Sequence, residues 1–295
     1  MSLLLLGANG QVGWELQRAL APVGPLVALD RAALDLTDGT AILQAIKQYQ
    51  PDVLINAAAH TAVDKAESEP DLAHAINADA VRTMAEGMQR QGGWLVHYST
   101  DYVFSGTGNA PYRETDKTGP LNVYGASKLR GEDAVRESGV HHLLFRTSWV
   151  YSTRSINFPN TILRLARERE QLRVVSDQHG APTHAALIAD ATAHCLHRVL
   201  HTPKHNDSGT YHLAAAGVTN WHAFAQYLIA RAPDARCRPE GVAAICSDDY
   251  PTAAKRPLNS RLSTEKLARQ FDLGMPDWTL HAQHFMEEYR ARSAA

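Results

Sequence analysis

The sequence predicts an α/β protein, a doubly wound parallel sheet with helices on both faces and a smaller C-terminal region. Three observations lead there. Apolar runs alternate with helical patterns through the first half of the chain. The runs are continuous, as in strands buried on both faces, not alternating as in half-exposed ones. The first run ends in a glycine-rich turn that opens a helix.

The elements follow in order. "SLLLL" (Ser2 to Leu6) reads as a strand, "VGWELQRAL" (Val12 to Leu20) as a helix and "LVALD" (Leu26 to Asp30) as a second strand. "AILQAIKQY" (Ala41 to Tyr49) is a helix and "DVLINAAA" (Asp52 to Ala59) a third strand. A long helix starts at Asp71, "WLVHYST" (Trp94 to Thr100) is a fourth strand, a helix carries Tyr124 and Lys128, and "HHLLFRTSWVY" (His141 to Tyr151) is a fifth strand. This is a Rossmann-type arrangement, in which ligands bind beyond the carboxyl ends of the strands. After about residue 150 the rhythm loosens. Strand-like runs occur at Leu172 to Asp177 and Gly209 to Ala215, and helical patterns at Ile156 to Glu170, His184 to His201, Trp221 to Arg231 and Thr279 to Arg292. Pro233 to Pro257, rich in Pro, Asp and small residues, reads as loop. The expected division is a dinucleotide-binding domain at 1–150 and a mainly substrate-binding region at 151–295, interleaved with the sheet.

Composition narrows the function classes. The 295 residues carry a formal net charge of -2 and are 44% hydrophobic, enough for a substantial core and without the basic footprint of a nucleic-acid or anionic-membrane binder. "MSLLLLGANG" lacks the basic start and long apolar body of a secretory signal. No apolar run approaches the roughly 20 residues that span a bilayer. A soluble, cytoplasmic protein is expected. The three cysteines, Cys195, Cys237 and Cys246, lack the close pairing of a zinc site and read as reduced thiols.

"GANGQVG" sets Gly7, Gly10 and Gly13 after a strand and at the opening of a helix. The turn must be sharp, the backbone must approach a pyrophosphate, and helix and strand must pack closely; the helix N-terminus around Gln11 and Val12 then offers free N–H groups and a positive dipole end to the phosphates. Asp30 closes the next strand, 17 residues after Gly13. Its carboxylate can accept from a ribose 2′-hydroxyl, favouring NAD(H), while Arg31 can pair with a 2′-phosphate and admit NADP(H), or be a solvated charge. The spacing of the glycines is that of short-chain dehydrogenase/reductases.

In "NVYGASKLRGE" Tyr124 and Lys128 stand four apart and share a helix face. A free phenol titrates near ~10, and a neighbouring ammonium lowers that value. A carbonyl reductase needs such a pair, since hydride arrives at carbon and an acid delivers a proton to oxygen. Thr100 in "STDYVF", at the end of the fourth strand, offers a hydroxyl that can hold the substrate oxygen or share its proton. The order of glycine loop, acidic strand end, Thr and Tyr-x-x-x-Lys fits the extended short-chain dehydrogenase/reductases.

Longer motifs sharpen the resemblance. "GANGQVGWELQRAL", "NAAAHTAVDKAESEP", "YSTDYVFSG", "PLNVYGASKLRGE", "FRTSWVY", "DQHGAPT" and "KRPLNSRL" resemble the dTDP-4-dehydrorhamnose reductase family from the first strand to "PDW" at Pro276 to Trp278. The resemblance implies reduction of the 4-keto group of a dTDP-6-deoxy-hexulose to dTDP-L-rhamnose with NADPH or NADH, in dTDP-rhamnose and O-antigen synthesis. Carried over by position, Tyr124 is the proton donor to O4, Lys128 holds the nicotinamide ribose and lowers the phenol pKa, and Thr100 tunes the match at the substrate oxygen. Asp101 matches a substrate-contacting position. Trp149 matches a residue that packs on the sugar nucleotide, with core packing as the alternative. Ala59, His60 and Thr61 match a cofactor-lining loop, Asp35 and Leu36 an adenine-side contact, and Tyr98 a backbone-lining position. Arg256 resembles a residue near the nucleotide diphosphate, and suits a structural salt bridge as well.

Some members of the family bind magnesium at a dimer interface through three glutamates. Glu15 and Glu288 stand at two of those positions and Ala186 at the third, where it supplies no side-chain oxygen. No metal site is expected, and the chain should be a monomer or a weak homodimer. Two rival readings use the same residues. An NDP-sugar epimerase or dehydratase shares the Tyr-x-x-x-Lys pair, but a dehydratase needs an acidic pair after the Thr, and here Tyr102 follows Asp101. A non-catalytic regulatory subunit like that of methionine adenosyltransferase would not need the intact Thr100, Tyr124 and Lys128.

Overall fold

A computed structural model describes residues 1–202 and 207–293. Five strands from the first half, β1 (Leu3–Leu6), β2 (Leu26–Leu29), β3 (Val53–Asn56), β4 (Trp94–Thr100) and β5 (His141–Thr147), form a sheet with one strand from the second half, β10 (Gly209–His212). The order is β10-β5-β4-β3-β1-β2, with every pair parallel. Succession reverses between β1 and β3, so the ligand crevice of such a sheet falls at their carboxyl ends.

Each strand is apolar on both faces because both are covered. Leu3 and Leu5 of β1 join a core with Leu16 and Leu20 of α1 (Gln11–Leu20), Ile188 and Leu196 of α8 (Ala185–His201) and Phe271 of α10 (Glu265–Phe271). Leu4 and Leu6 point the other way, to Ile42 and Ile46 of α2 (Gly39–Tyr49), Met84 and Met88 of α5 (Ala80–Gln91) and Val135 of α6 (Val123–Ser138). A period of two on a doubly covered strand leaves a continuous run of leucines. The helix ends follow local chemistry. Asp38 caps α2 through the N–H groups of Thr40 and Ala41, Asn122 caps α6 through that of Gly125, and Gly92 and Gly139 close α5 and α6 in the left-handed conformation.

A third core lies in the second half, where Tyr151, Leu163, Phe224, Leu228, Phe285 and Met286 pack together. It joins α7 (Phe158–Glu168), α9 (Trp221–Ile229) and α11 (Trp278–Ser293) to short strand pairs: β6 (Val150–Tyr151) with β9 (Thr183–His184), β7 (Leu172–Val175) with β12 (Val242–Ile245), and β8 (His179–Gly180) with β11 (Thr219–Asn220).

Several expectations need correction. The third strand stops at Asn56, so that 57–61 form a loop at the sheet mouth. The long helix from Asp71 is interrupted: α4 (Pro70–His74) passes through a π turn at Ala75–Asp79 before α5 begins. The fifth strand ends at Thr147; Trp149, at φ 49°, turns the chain out of the sheet. The stretch expected to be loop, Pro233 to Pro257, contains β12, whose Val242 and Ile245 are buried at its two ends. Four residues amid Pro and Asp carry too little pattern to predict a strand, and the pairing with β7 supplies the order.

Candidate active site

The carboxyl ends of β1, β3, β4 and β5 open into one cavity of about 1080 Å³. Most of the expected site residues lie on its wall. Gly7, Gly10, Gln11 and Val12 line one end, with Asp30, Arg31, Asp35 and Leu36; Ala59, His60, Thr61 and Tyr98 line the middle; Thr100, Asp101, Tyr124, Lys128 and Trp149 line the other end. Gly13 and Arg256 are not on the wall.

The first turn is built for close approach. Gly7 sits at φ 83°, where a Cβ would lie 2.7 Å from the Ala58 backbone nitrogen, and a Cβ at Gly13 would lie 2.0 Å from the Gly7 carbonyl oxygen. Gly7 therefore lets the turn press against the loop after β3, while Gly13 lets α1 press against the turn. This cradle at the N-terminus of α1 suits a pyrophosphate. Beyond it, the Asp30 carboxylate accepts from the N–H groups of Ala32 and Ala33 at 3.0 Å each and from Asn9 Nδ2 at 2.7 Å, which fixes it at the crevice edge. The Gln11 side chain accepts from Ser152 Oγ at 3.0 Å and Asn157 Nδ2 at 2.7 Å, tying the first helix to the second half of the chain.

The loop after β3 is clamped by Asn77, a residue the sequence did not single out. Asn77 sits in the π turn and is buried. Its Oδ1 accepts from the His60 N–H at 2.8 Å, and its Nδ2 donates to the His60 carbonyl at 3.0 Å and to Ser127 Oγ at 3.0 Å. The His60 ring turns to Glu69, 3.7 Å away. A lone asparagine inside an apolar helical pattern is the one signal that pointed to this clamp.

At the chemical end, the Thr100 hydroxyl donates to Asp101 Oδ1 at 3.1 Å and accepts from the Tyr102 N–H at 3.2 Å, beside the Tyr124 phenol. Burial pushes the phenol up to about 12, opposed by the neighbouring Thr100 hydroxyl and with a further push from the Asp101 charge. Burial also pulls the Lys128 ammonium down to about 8, opposed by the Glu132 charge. Both groups lose solvation, and burial is the largest influence on each. A phenol held protonated is suited to giving a proton to a more basic alkoxide. Burial pushes Asp101 up to about 7, with the Thr100 hydrogen bond opposing. One turn beyond Lys128, Glu132 accepts from Arg146 Nε at 2.9 Å and Nη2 at 2.7 Å, and both side chains are buried.

Trp149 stacks on Trp221 at 3.6 Å between centroids and 14° between planes, and both line the cavity. Trp221, at the start of α9, is a second wall residue the sequence reading missed, because its partner lies in a distant segment. Arg256 holds Asp64 with two bonds of 3.1 and 2.6 Å, the salt bridge that was the alternative reading for it, beside Tyr102. Glu15 lies 3.5 Å from Arg18 and Glu288 accepts from Thr153 at 3.1 Å; among the described residues no group of three or more His, Cys, Asp or Glu side chains is placed to hold a metal ion.

The family model described as the RmlD substrate binding domain matches residues 1–291. The chain is 50% identical over 294 residues to the dTDP-4-dehydrorhamnose reductase of Salmonella typhimurium, covering 98% of each. It is 48% identical to that of Escherichia coli K12, again over 98% of each. A crystal structure of the Bacillus anthracis reductase in complex with NADP superposes with a TM-score of 0.88 at 35% identity, over 97% of this chain and 99% of that one. A Thermus thermophilus UDP-glucose 4-epimerase, 18% identical, shares the fold with a TM-score of 0.79 over 98% of this chain and 99% of that one. The chain belongs to the dTDP-4-dehydrorhamnose reductase family.

Proposed function

We propose that the chain reduces the 4-keto group of dTDP-4-dehydro-L-rhamnose to dTDP-L-rhamnose at the Thr100–Tyr124–Lys128 centre, and that the observation carrying this reading is the placing of Thr100, Tyr124 and Lys128 together on the wall of the same cavity as the glycine cradle. The glycine turn with Gln11 and Val12 would hold the pyrophosphate of NADPH or NADH, Asp30 and Arg31 the adenosine ribose, Asp35 and Leu36 the adenine side, and Ala59, His60, Thr61 and Tyr98 the middle. Bound reduced nicotinamide supplies the hydride. Thr100 holds the ketone oxygen, and Tyr124 gives its proton to O4 as charge develops there; a group needed only at that moment acts on the chemical step. Lys128 holds the nicotinamide ribose. Asp101, Trp149 and Arg256 are read as substrate-side residues, with Arg256 acting from its pair with Asp64.

The division of labour proposed is cofactor on 1–150 and sugar nucleotide mainly on 151–295, with β10 and Gln11 linking the two. Among the described residues no helix is long and apolar enough to cross a membrane, and the proposed cofactor and substrate are soluble nucleotides, so we read the enzyme as cytoplasmic. Its assembly is read as monomer or weak homodimer independent of magnesium, on the strength of Ala186. A coupled assay from dTDP-glucose with NADPH and NADH compared tests the reading: cofactor oxidation must depend on the ketosugar nucleotide.

A further inference from the structure

The segment "DQHGAPT", Asp177 to Thr183, takes no part in the reaction proposed above, yet its first four residues all bear on the stack of Trp149 and Trp221. A run of hydrogen bonds leads from one indole into this segment. Trp221 Nε1 donates to Gln178 Oε1 at 3.1 Å, Gln178 Nε2 to Ser247 Oγ at 2.9 Å, and Ser247 Oγ to Asp177 Oδ1 at 2.7 Å. Each direction is fixed, because an indole N–H only donates and a carboxylate only accepts. Gln178 is buried. The Ser247 N–H also donates to Asp177 Oδ2 at 2.9 Å. His179 pairs with Asn220 across β8 and β11, and Asn220 caps α9 through the Ala223 N–H at 2.8 Å. Trp221, the next residue, is thereby held at both its ring and its backbone. Gly180 acts on the other indole: a Cβ there would lie 2.8 and 3.0 Å from two carbons of the Trp149 six-membered ring. Trp149 itself stands at φ 49°, which a bulky residue keeps only when its surroundings hold it there. Both indoles are half-buried and line the cavity, so the stack is part of its wall and not the filling of a core.

We propose that Trp221 is a positioning residue for the reductase: anchored by Gln178, it holds the Trp149 indole, for which the bare Gly180 leaves room, in the pose that packs on the sugar nucleotide. The proposal rests on the substrate-side role of Trp149 given above. An indole offers a broad apolar face to the C–H groups of a sugar ring, and what it contributes depends on where that face lies. The stack removes the freedom of the Trp149 ring before substrate arrives, so binding does not have to order it. Such a wall touches the sugar nucleotide in the ground state and the transition state alike. Loosening it therefore weakens binding and raises KM while kcat is kept. The glycine cradle lies at the other end of the cavity, so cofactor binding does not depend on the stack.

Stacked indoles give an exciton couplet in far-ultraviolet circular dichroism, which reads the pose without substrate. Wild type is expected to show the couplet and Trp221→Leu to lose it. In Gly180→Ala the Trp149 ring must shift, so the couplet should change in size; Gly180 has no positive φ that would exclude alanine for another reason. Gln178→Met keeps the volume, removes the acceptor and should weaken the couplet. In all three variants the affinity for dTDP-L-rhamnose, read by calorimetry, should fall and KM for the ketosugar nucleotide should rise, each by roughly three- to tenfold, the range that an aromatic pair spans. NADPH affinity and kcat should stay as in wild type. Trp221→Phe, which keeps a ring on Trp149, should recover most of the affinity. A wild type without the couplet overturns the proposal, as does unchanged dTDP-L-rhamnose affinity in variants whose couplet is lost. A parallel fall in NADPH affinity also overturns it, since the stack would then be a general support of the fold. If Trp221→Leu fails to fold, Gly180→Ala and Gln178→Met carry the same readouts. Wild type that binds dTDP-L-rhamnose without reducing the ketosugar refutes the proposed function alone, and the couplet with the binding measurements still decides the role of Trp221. Wild type that binds no dTDP-L-rhamnose overturns both.

Discussion

Glu132→Gln isolates the electrostatics beneath the catalytic helix. Glu132 is fully buried and Arg146 is 3% exposed, with two charged hydrogen bonds between them and a third to Glu132 from Arg136 at 3.0 Å. Burial alone would raise the Glu132 pKa; the Arg146 bonds and charge override it and hold the carboxyl below its ordinary range. Glutamine keeps the shape but turns one acceptor into a donor against Arg146 Nη2 and leaves a buried guanidinium uncompensated. Removing one partner of such a pair costs about 3–5 kcal/mol, a large share of the ~5–15 kcal/mol that holds a domain folded. With an unfolding entropy of about 2.1 cal/mol/K per residue over 295 residues, the loss should lower Tm by roughly 5–8 °C. Calorimetry and urea titration read it. Replacing both partners, Glu132→Leu with Arg146→Met, should recover much of the loss, since a well-packed apolar pair avoids the desolvation of both ions. A single variant within about 0.5 kcal/mol of wild type, the range of an ordinary surface change, would refute the buried-charge argument.

Arg31→Ala should weaken NADPH more than NADH, because Asp30 repels a 2′-phosphate and Arg31 offsets that repulsion; equal losses in titrations of the two cofactors would remove Arg31 from the 2′ position. Gly13→Ala sets a methyl 2.0 Å from a backbone carbonyl, so cofactor binding should fall by more than tenfold, and a variant binding like wild type would mean the turn can spread. Burial pulls His212 down to about 3. A depressed histidine gives stability that is present above its unfolded pKa and lost as pH falls toward the folded value, so between pH 7 and 5 the advantage of wild type over His212→Asn should shrink by about 2 kcal/mol. Parallel stability profiles for the two proteins would contradict that sign.

The main sheet was legible because burial on both faces writes a continuous apolar run, as in Leu3 to Leu6. The glycine turn and Tyr124-x-x-x-Lys128 were legible because their spacing is local. What failed to show is what depends on partners far along the chain. Val242 to Ile245 becomes a strand only beside Leu172 to Val175. Trp221 reaches the wall through its stack on Trp149 and its hydrogen bond to Gln178. Asn77 looks like a helix residue until the π turn aims it at the His60 backbone. The burial that pushes the phenol up was not legible either, because it is a property of the folded cavity and not of the local spacing.

The most direct test of the central claim compares wild type with Tyr124→Phe under saturating reduced cofactor and ketosugar nucleotide, following cofactor oxidation and identifying the sugar product. The account predicts dTDP-L-rhamnose from wild type, oxidation strictly dependent on the ketosugar, and a variant that binds cofactor normally with kcat lower by about 10²–10⁴-fold. Wild-type kcat in Tyr124→Phe, or cofactor oxidation by wild type without the ketosugar, would contradict it.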